Sequence, residues 1–421
     1  IMSSDWSSDV CSSDLPEVNA PAVRTYEHCR DWARHGHEVH VVTCVPSHPQ
    51  GRVYPGYESS FAAQHEEKDG IKVHRVWTYI APNKGFLART IGYASYMFSA
   101  ALACLKLPRP DIIVATSPQF FCACAGFLAS RLRRAPWIFE VRDLWPESIV
   151  AVGAIRNRAI IGLLEMVEKY LYRDAEKVVV LTRSFADNLK GRGINAGKLH
   201  FLPNGVDPEV WQREGRSTAR QGLGLDSKFV VSYVGTHGMA HNLETLLDAA
   251  DILREHEDIS IQMVGDGAEY ENLRLRAERN SLSNVSMIGQ VPRDDARAYV
   301  AASDVSVVLL RKSELFKTVI PSKILEAMAA GNPVVLGVEG EAKRIVEDAG
   351  VGICIEPENP AELADAVLRL KAAPGLREEM GRNGRAVVSE WFDRNRIANE
   401  MLDVLCECQR HTEQQPVKEV S

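Results

Sequence analysis

The chain has no run of about 18 uninterrupted apolar residues, so no segment stands out as a helix that crosses a bilayer. The basic and apolar regions of a secretion signal are also missing from its start. Nine cysteines are present, but none form Cys-x-x-Cys or sit with histidines at zinc spacing. Close pairs such as Cys122/Cys124 and Cys406/Cys408 fall in apparent helices, which points to reduced thiols and a cytoplasmic protein, peripheral at most to the inner face of a membrane. There is no excess of positive charge, since 49 Lys and Arg face 56 Asp and Glu for a formal charge of -7, which argues against a nucleic-acid partner. G-x-S-x-G, P-loop, H-E-x-x-H and D-x-D patterns are all absent, so serine-nucleophile, P-loop and metal-nucleotide chemistry are set aside.

What is present is a long alternation of strands and helices. At 421 residues the chain suits two domains of about 200 residues each. From Pro21 a helix with Gly36 past its end leads into the strand EVHVVTCV, and apolar segments follow at 71–81, 111–117, 136–143, 177–182 and 198–204. The alternation restarts at FVVSYVG and runs through ISIQMVGDG, VSMIG, VSVVLL, PVVLGV and GICIEP. Such alternation predicts α/β domains with doubly wound parallel sheets, whose ligands sit at the carboxyl ends of the strands. The Gly- and Pro-rich stretch at 205–226 reads as a linker between domains at 16–204 and 227–385. Residues 386–410 read as a C-terminal helix and 411–421 as a disordered tail. The apolar segment 86–107, with Lys84, Arg89, Lys106 and Arg109 around it, reads as a crossover helix buried on the first sheet, with an interfacial membrane helix as the alternative.

The strongest chemical signal is TVIPSKILEAMAAGNPVVLG at 318–337. Pro321 and Ser322 suit a helix start and Gly331 its end, while Ser322 and Glu326 share one stripe. A positive helix terminus beside a carboxylate suits a nucleotide, with phosphates on the amides and ribose on the Glu, although an amphipathic helix with one solvated Glu has the same pattern. In VGTHGMAHNLETLLDAA at 234–250 a strand ends in Gly235-Thr236-His237-Gly238, where small residues let a diphosphate approach the backbone. VGDG at 264–267 is a second turn of this kind. Either turn alone is what any tight strand-to-helix connection uses.

Taken with LPNGVD at 202–207, these segments resemble the family 4 glycosyltransferases over roughly residues 16–405. The resemblance implies a GT-B fold: two facing Rossmann-like domains with a C-terminal helix crossing back to the first. It also implies that Glu326 is the second Glu of a Glu-x7-Glu motif and binds the donor ribose, while Thr318 stands where the first Glu is usual. The basic pair that usually follows the Gly-rich turn is replaced by His237, His241 and Asn242. Donor contacts are expected from Gly235, Thr236, His237, Gly238, Asn242, Gly265, Asp266, Val291, Ser322, Lys323 and Glu326. For the diphosphate charge, Arg311, Lys312, Lys317 and Lys323 are the candidates, with Lys323 favoured; solvated loop lysines are the ordinary alternative. PEVNAPAVRTYEH, FEVRDLWPES and FKTVIPSKILEAMAAGNPVVLGVEGEA further resemble a subgroup of N-acetyl-fucosamine transferases of surface-polysaccharide loci.

On the first domain FEVRDLWPES (139–148) runs from a strand end into a loop. Arg142 and Asp143 are catalytic candidates there, Asp143 either orienting an acceptor hydroxyl or pairing with Arg142. Glu17, Asn19 and Trp145 are candidates for acceptor binding. SSDWSSDVCSSDL at 3–15 repeats Ser-Ser-Asp three times where relatives have an apolar strand, and it resembles the translation of a sequencing adapter; a genuine polar extension is the alternative. The expected activity is a retaining transfer of a sugar, such as an N-acetylated amino sugar, from a UDP-sugar to a lipid-linked saccharide in cell-surface polysaccharide synthesis, with no metal or other cofactor. A sugar-nucleotide epimerase of the same shape and a non-catalytic nucleotide-sugar-binding protein remain alternatives.

Overall fold

The computed structural model describes residues 20–47, 53–80, 86–117, 120–147, 150, 155, 157–212 and 215–414. Glu17, Asn19 and the adapter-like residues 3–15 lie outside them. The chain divides into two compact units, one of residues 1–203 with 395–421 and one of Asn204–Arg394.

In the first unit β1 (Val39–Cys44) pairs in parallel with β3 (Ile71–Val76), while β4 (Ile113–Thr116), β5 (Trp137–Val141), β6 (Lys177–Val180) and β7 (Leu199–Phe201) form a second parallel ladder. One strand was not expected. β2 (Gln64–Lys68) pairs antiparallel with β3 across a turn in which Asp69 and Gly70 both have positive φ, as a tight type I′ hairpin requires. Its sequence QHEEK is polar, so it carries no apolar alternation to announce a strand. Both ladders share one core with the helix Ala20–Arg34, through Cys29 and Trp32, and with the C-terminal helix. That helix runs from Arg394 to Gln414, past the start of the expected tail, and packs Ile397, Met401, Val404 and Leu405 into this core. The Trp32 indole donates to the Ala398 carbonyl at 3.1 Å.

Glu140 on β5 is buried between two arginines. Arg24 Nε donates to Oε1 at 2.9 Å and Arg142 Nε to Oε2 at 3.0 Å. Arg24 also reaches the Pro203 and Leu202 carbonyls, at 2.5 and 3.2 Å. Burial by itself would raise the carboxyl of Glu140, but Arg142, Arg24 and His28 outweigh it and hold it well below the ordinary carboxylate range. Nearby, β1, β3 and β2 contribute a row of imidazoles: His40 Nδ1 lies 2.9 Å from His74 Nε2, and His65 Nδ1 lies 2.7 Å from His74 Nδ1. Burial, with His40 and His65 adding to it, lowers His74 to about 4.

The second unit has one parallel sheet, ordered β10-β9-β8-β11-β12-β13. Its strands are β8 (Phe229–Val234), β9 (Ile259–Val264), β10 (Val285–Ile288), β11 (Val305–Leu309), β12 (Val334–Gly337) and β13 (Gly352–Cys354). The chain winds outward from β8 to β10, then returns to the other side of β8, which makes the β8/β11 boundary the switch point where the loops part. Two expected boundaries change. Residues 205–226 are no loose linker: Pro208–Gln212 and Arg216–Leu223 are helical, Val206 bridges to Asp393, and Arg216 and Arg220 bind Asp304. Residues 386–391 belong to the helix Pro374–Trp391, whose Gly381 and Gly384 let it press on Gly331 and Met328 of the second unit, so the return to the first unit comes only after Arg394.

Removing one member of a buried ion-pair triad strands its partners. Glu140→Ala is therefore expected to cost about 3–5 kcal/mol of stability, read by urea unfolding of the full chain. The folded chain also refuses a proton at His74 that the unfolded chain accepts, so this residue's contribution should be lost as pH falls from 6.5 toward 4. His74→Gln should flatten that limb of the stability profile.

Candidate functional site

The loops at the carboxyl ends of β8 and β9 are nested because their glycines leave no Cβ in the way. A Cβ on Gly265 would lie 2.1 Å from the Gly235 carbonyl oxygen, and one on Gly267 would lie 2.6 Å from that of His237. His237 N–H donates to the Asp266 carbonyl at 2.9 Å, while the Asp266 carboxylate accepts from Gly267 N–H at 2.7 Å. Across the switch point, Arg311 N–H donates to the Ala240 carbonyl at 2.8 Å and ties the loop after β11 to the loop after β8.

The helix Ser322–Ala330 follows that second loop, and its end is closed by Gly331 in the left-handed conformation. Lys323, in its first turn, lies directly on Gly235, where a Cβ would fall 2.2 Å from Lys323 Cε. Its ammonium stands 5.4 Å from the centre of the buried Tyr233 ring. Among the described residues no carboxylate lies within ion-pair distance of it. Burial lowers Lys323 from its ordinary value, and the nearby Glu326 charge only partly offsets this.

Beside this ammonium sit two imidazoles. His237 is fully buried and neither ring nitrogen has a hydrogen-bond partner of normal geometry. Burial lowers His237, and it pushes His241 down to about 3, with Lys323 adding to the fall. Both rings are therefore neutral near pH 7. They pack on Tyr233 at 5.6 and 6.0 Å between centroids, and the Tyr233 hydroxyl donates to the Thr236 carbonyl at 2.7 Å.

Gly235, Thr236, His237, Gly238, Gly265, Asp266, Ser322, Lys323 and Glu326 thus lie around the carboxyl ends of β8 and β9 and the start of one helix. Glu326 is half-buried, one turn beyond Ser322. Asn242 holds a left-handed turn and donates to Thr245 Oγ1 at 3.3 Å. Val291 lies further out, in the loop after β10, and makes none of these contacts. Thr318 ends a 3₁₀ turn and gives its hydroxyl to the Leu315 carbonyl at 2.7 Å. Of the four candidate cations two are already engaged: Lys312 with Glu356 at 2.7 Å, and Lys317 with Glu314 at 2.6 Å and Glu339 at 3.6 Å. Lys323 and Arg311 remain without a carboxylate among the described residues.

The first unit places three further candidates. Arg142 has a buried side chain bonded to Glu140 and, at 2.9 Å, to Thr25 Oγ1. Trp145 is buried and stacks on Phe120, with ring centres 4.6 Å apart. Asp143 is half-buried in the loop, its backbone held on the Ser117 hydroxyl. Sequence reasoning passed over Glu140, although a carboxylate inside an apolar strand is costly unless something pairs with it, and Arg24 supplies the pair from the first helix. It also passed over Tyr233 as the platform for Lys323.

Residues 19–205 match the family described as "Glycosyl transferase 4-like domain", and residues 215–387 match "Glycosyl transferases group 1". WcaI of Escherichia coli (strain K12), assigned by name as a colanic acid biosynthesis glycosyl transferase, is 25% identical over 85% of this chain and 90% of its own. Anabaena Alr3699/HepE, solved with UDP and glucose, superposes with a TM-score of 0.68 at 19% identity over 94% of this chain and 97% of its own. WaaG, a glycosyltransferase involved in lipopolysaccharide biosynthesis, superposes at 0.65 and 15% identity over 93% and 97%. Both likenesses show the fold, which is GT-B, with two Rossmann-like α/β domains.

A half-buried cation with no carboxylate beside it costs the fold that holds it some stability, so function and stability should oppose each other at Lys323. Lys323→Met is expected to leave Tm unchanged or higher while weakening UDP binding roughly ten- to hundred-fold, the worth of about 1.5–3 kcal/mol for a charge-assisted hydrogen bond. Calorimetry beside a thermal melt checks both halves. The chain thus carries a glycosyl transferase 4-like domain over residues 19–205 followed by a group 1 glycosyl transferase domain over residues 215–387.

Proposed function

We propose that the chain transfers a sugar from UDP to a lipid-linked saccharide in the synthesis of a cell-surface polysaccharide, with retention at the anomeric carbon. The observation that carries the donor half is Lys323: a half-buried ammonium without a carboxylate among the described residues, on a helix N-terminal turn, over a glycine that gives a ligand close access to the backbone. A diphosphate would provide the missing counter-charge. Support for UDP comes from the Anabaena protein solved with UDP-glucose, and support for a polysaccharide product from the names of WcaI and WaaG.

In this reading Glu326 accepts the ribose hydroxyls, while Lys323, the amides at Ser322 and the Gly235–Gly238 backbone hold the diphosphate, with Arg311 closing from the loop after β11. Bond cleavage leaves negative charge on the departing diphosphate. A preorganised ammonium and helix terminus stabilise that charge more in the transition state than in the ground state. The same leaving phosphate oxygen takes the proton of the acceptor hydroxyl, so the reading calls for no protein nucleophile and no metal. Neutral His237 and His241 shape the pocket without adding charge. Asp143 is the candidate in the first unit for orienting the acceptor hydroxyl. The N-acetyl-fucosamine subgroup makes an N-acetylated amino sugar the first donor to try.

UDP release from a panel of UDP-sugars, with membrane lipid extract as acceptor, tests this. Release should depend on the extract. Glu326→Ala should lower kcat/KM roughly ten- to hundred-fold, again the worth of about 1.5–3 kcal/mol for a hydrogen bond to a charged group. Acceptor-independent conversion of the donor would favour an epimerase, and donor binding with no turnover across the panel would favour a non-catalytic binder.

A further inference from the structure

A second buried carboxylate of the first unit stands apart from the cluster around Glu140. Glu168, on the helix Arg158–Asp174, is buried. The Tyr172 hydroxyl donates to its Oε1 at 2.5 Å, and the Arg192 guanidinium binds its Oε2. Tyr172 is itself fixed by stacking on Phe139 of β5, with ring centres 5.1 Å apart. Burial raises Glu168 to about 7 against the pull of Arg192 and Tyr172, with the Glu147 charge adding to the rise. Near neutral pH it therefore carries only part of a negative charge, and the guanidinium is left partly unmatched.

Arg192 has little freedom. It closes the helix Arg183–Gly191, its N–H donating to the Asn188 carbonyl at 3.0 Å, and its guanidinium lies 5.8 Å from the centre of the Tyr172 ring. With Nη2 on Glu168, its Nη1 is buried and has no hydrogen-bond partner among the described residues. A buried donor left in that state is costly. Glu147 Oε1 stands 3.7 Å from this nitrogen, within ion-pair distance and just beyond hydrogen-bond length. Glu147 is exposed, and an exposed carboxylate gains most from a cation that is already held in place, because less ordering is then required.

Glu147 lies in the loop that carries Asp143. Two anchors of that loop come from the segment 117–120: the Ser117 hydroxyl accepts from the amides of Arg142 and Asp143 at 2.9 and 3.4 Å, and Trp145 stacks on Phe120. Arg192 reaches the loop from a separate element. We propose that Arg192 is a positioning residue that grips Glu147, with Glu168 and Tyr172 fixing the guanidinium from behind, and so holds the loop that presents Asp143 to the acceptor. The proposal rests on the reading that Asp143 orients the acceptor hydroxyl of a transferase.

Kinetics and hydrogen exchange on the full chain test it. Glu147→Gln removes one charge at an exposed position that the fold does not depend on, and Arg192→Met removes the other. Each should lower the slope of UDP release against membrane lipid extract roughly three- to fivefold, the worth of a partly exposed ion pair. The double substitution should cost no more than either alone, because both break one contact. Arg192→Lys, which keeps the charge, should recover part of the slope, and UDP affinity by calorimetry should stay unchanged throughout. Exchange at the amides of Arg142 and Asp143 should quicken in Glu147→Gln and in Arg192→Met. Unchanged slope or unchanged exchange in Glu147→Gln overturns the proposal. So do losses that add in the double variant, or a UDP affinity that falls in step with the slope. An unsubstituted chain that releases no UDP with extract sinks the transferase reading, and exchange at the two amides then decides by itself whether Arg192 holds the loop.

Discussion

The second unit is organised around an ammonium that the fold half-buries without a carboxylate beside it. Lys323 reaches its place only because Gly235 has no side chain, and Gly235 can sit there only because Gly265 lets the neighbouring loop close behind it. Burying a cation without a counter-ion costs stability, and a fold retains such a group where a ligand supplies the missing charge. Tyr233 lies beneath it and two neutral imidazoles beside it, so no neighbouring ring adds charge of either sign.

The first unit solves the opposite problem. Glu140 is buried on β5, but a guanidinium meets each of its carboxylate oxygens, and through Arg24 the pair ties the first helix to β5 and to the segment leaving β7. That cluster fixes the Arg142 guanidinium against Glu140 and Thr25. The loop beyond it, with Asp143, is then held by backbone contacts to Ser117 at a fixed distance from the strand end.

Much of the alternation was legible because parallel strands buried on both faces read as apolar runs, and twelve of the thirteen strands lie within such runs. β2 escaped because QHEEK lies at the polar rim of its ladder; the Asp69-Gly70 pair was the signal that a hairpin turned there. The stretch at 205–226 misled for a related reason. Glycine, proline and polar residues suit a flexible connection, but Asp207 accepts from the amides of Glu209 and Val210 to start a helix, and Asp304, far along the chain, anchors the next one.

Local pattern determined where the helix at 322–330 begins and ends, which turns are rich in glycine, and that Glu326 shares a face with Ser322, because each of these depends on neighbours within a few residues. Partnership was beyond its reach. Lys312, Lys317 and Lys323 are alike as residues, and only the folded chain brings Glu356 to the first and Glu314 and Glu339 to the second while leaving the third over a tyrosine ring. A charge is spent or available according to what the chain brings beside it from far away in sequence, and that is decided by tertiary packing alone.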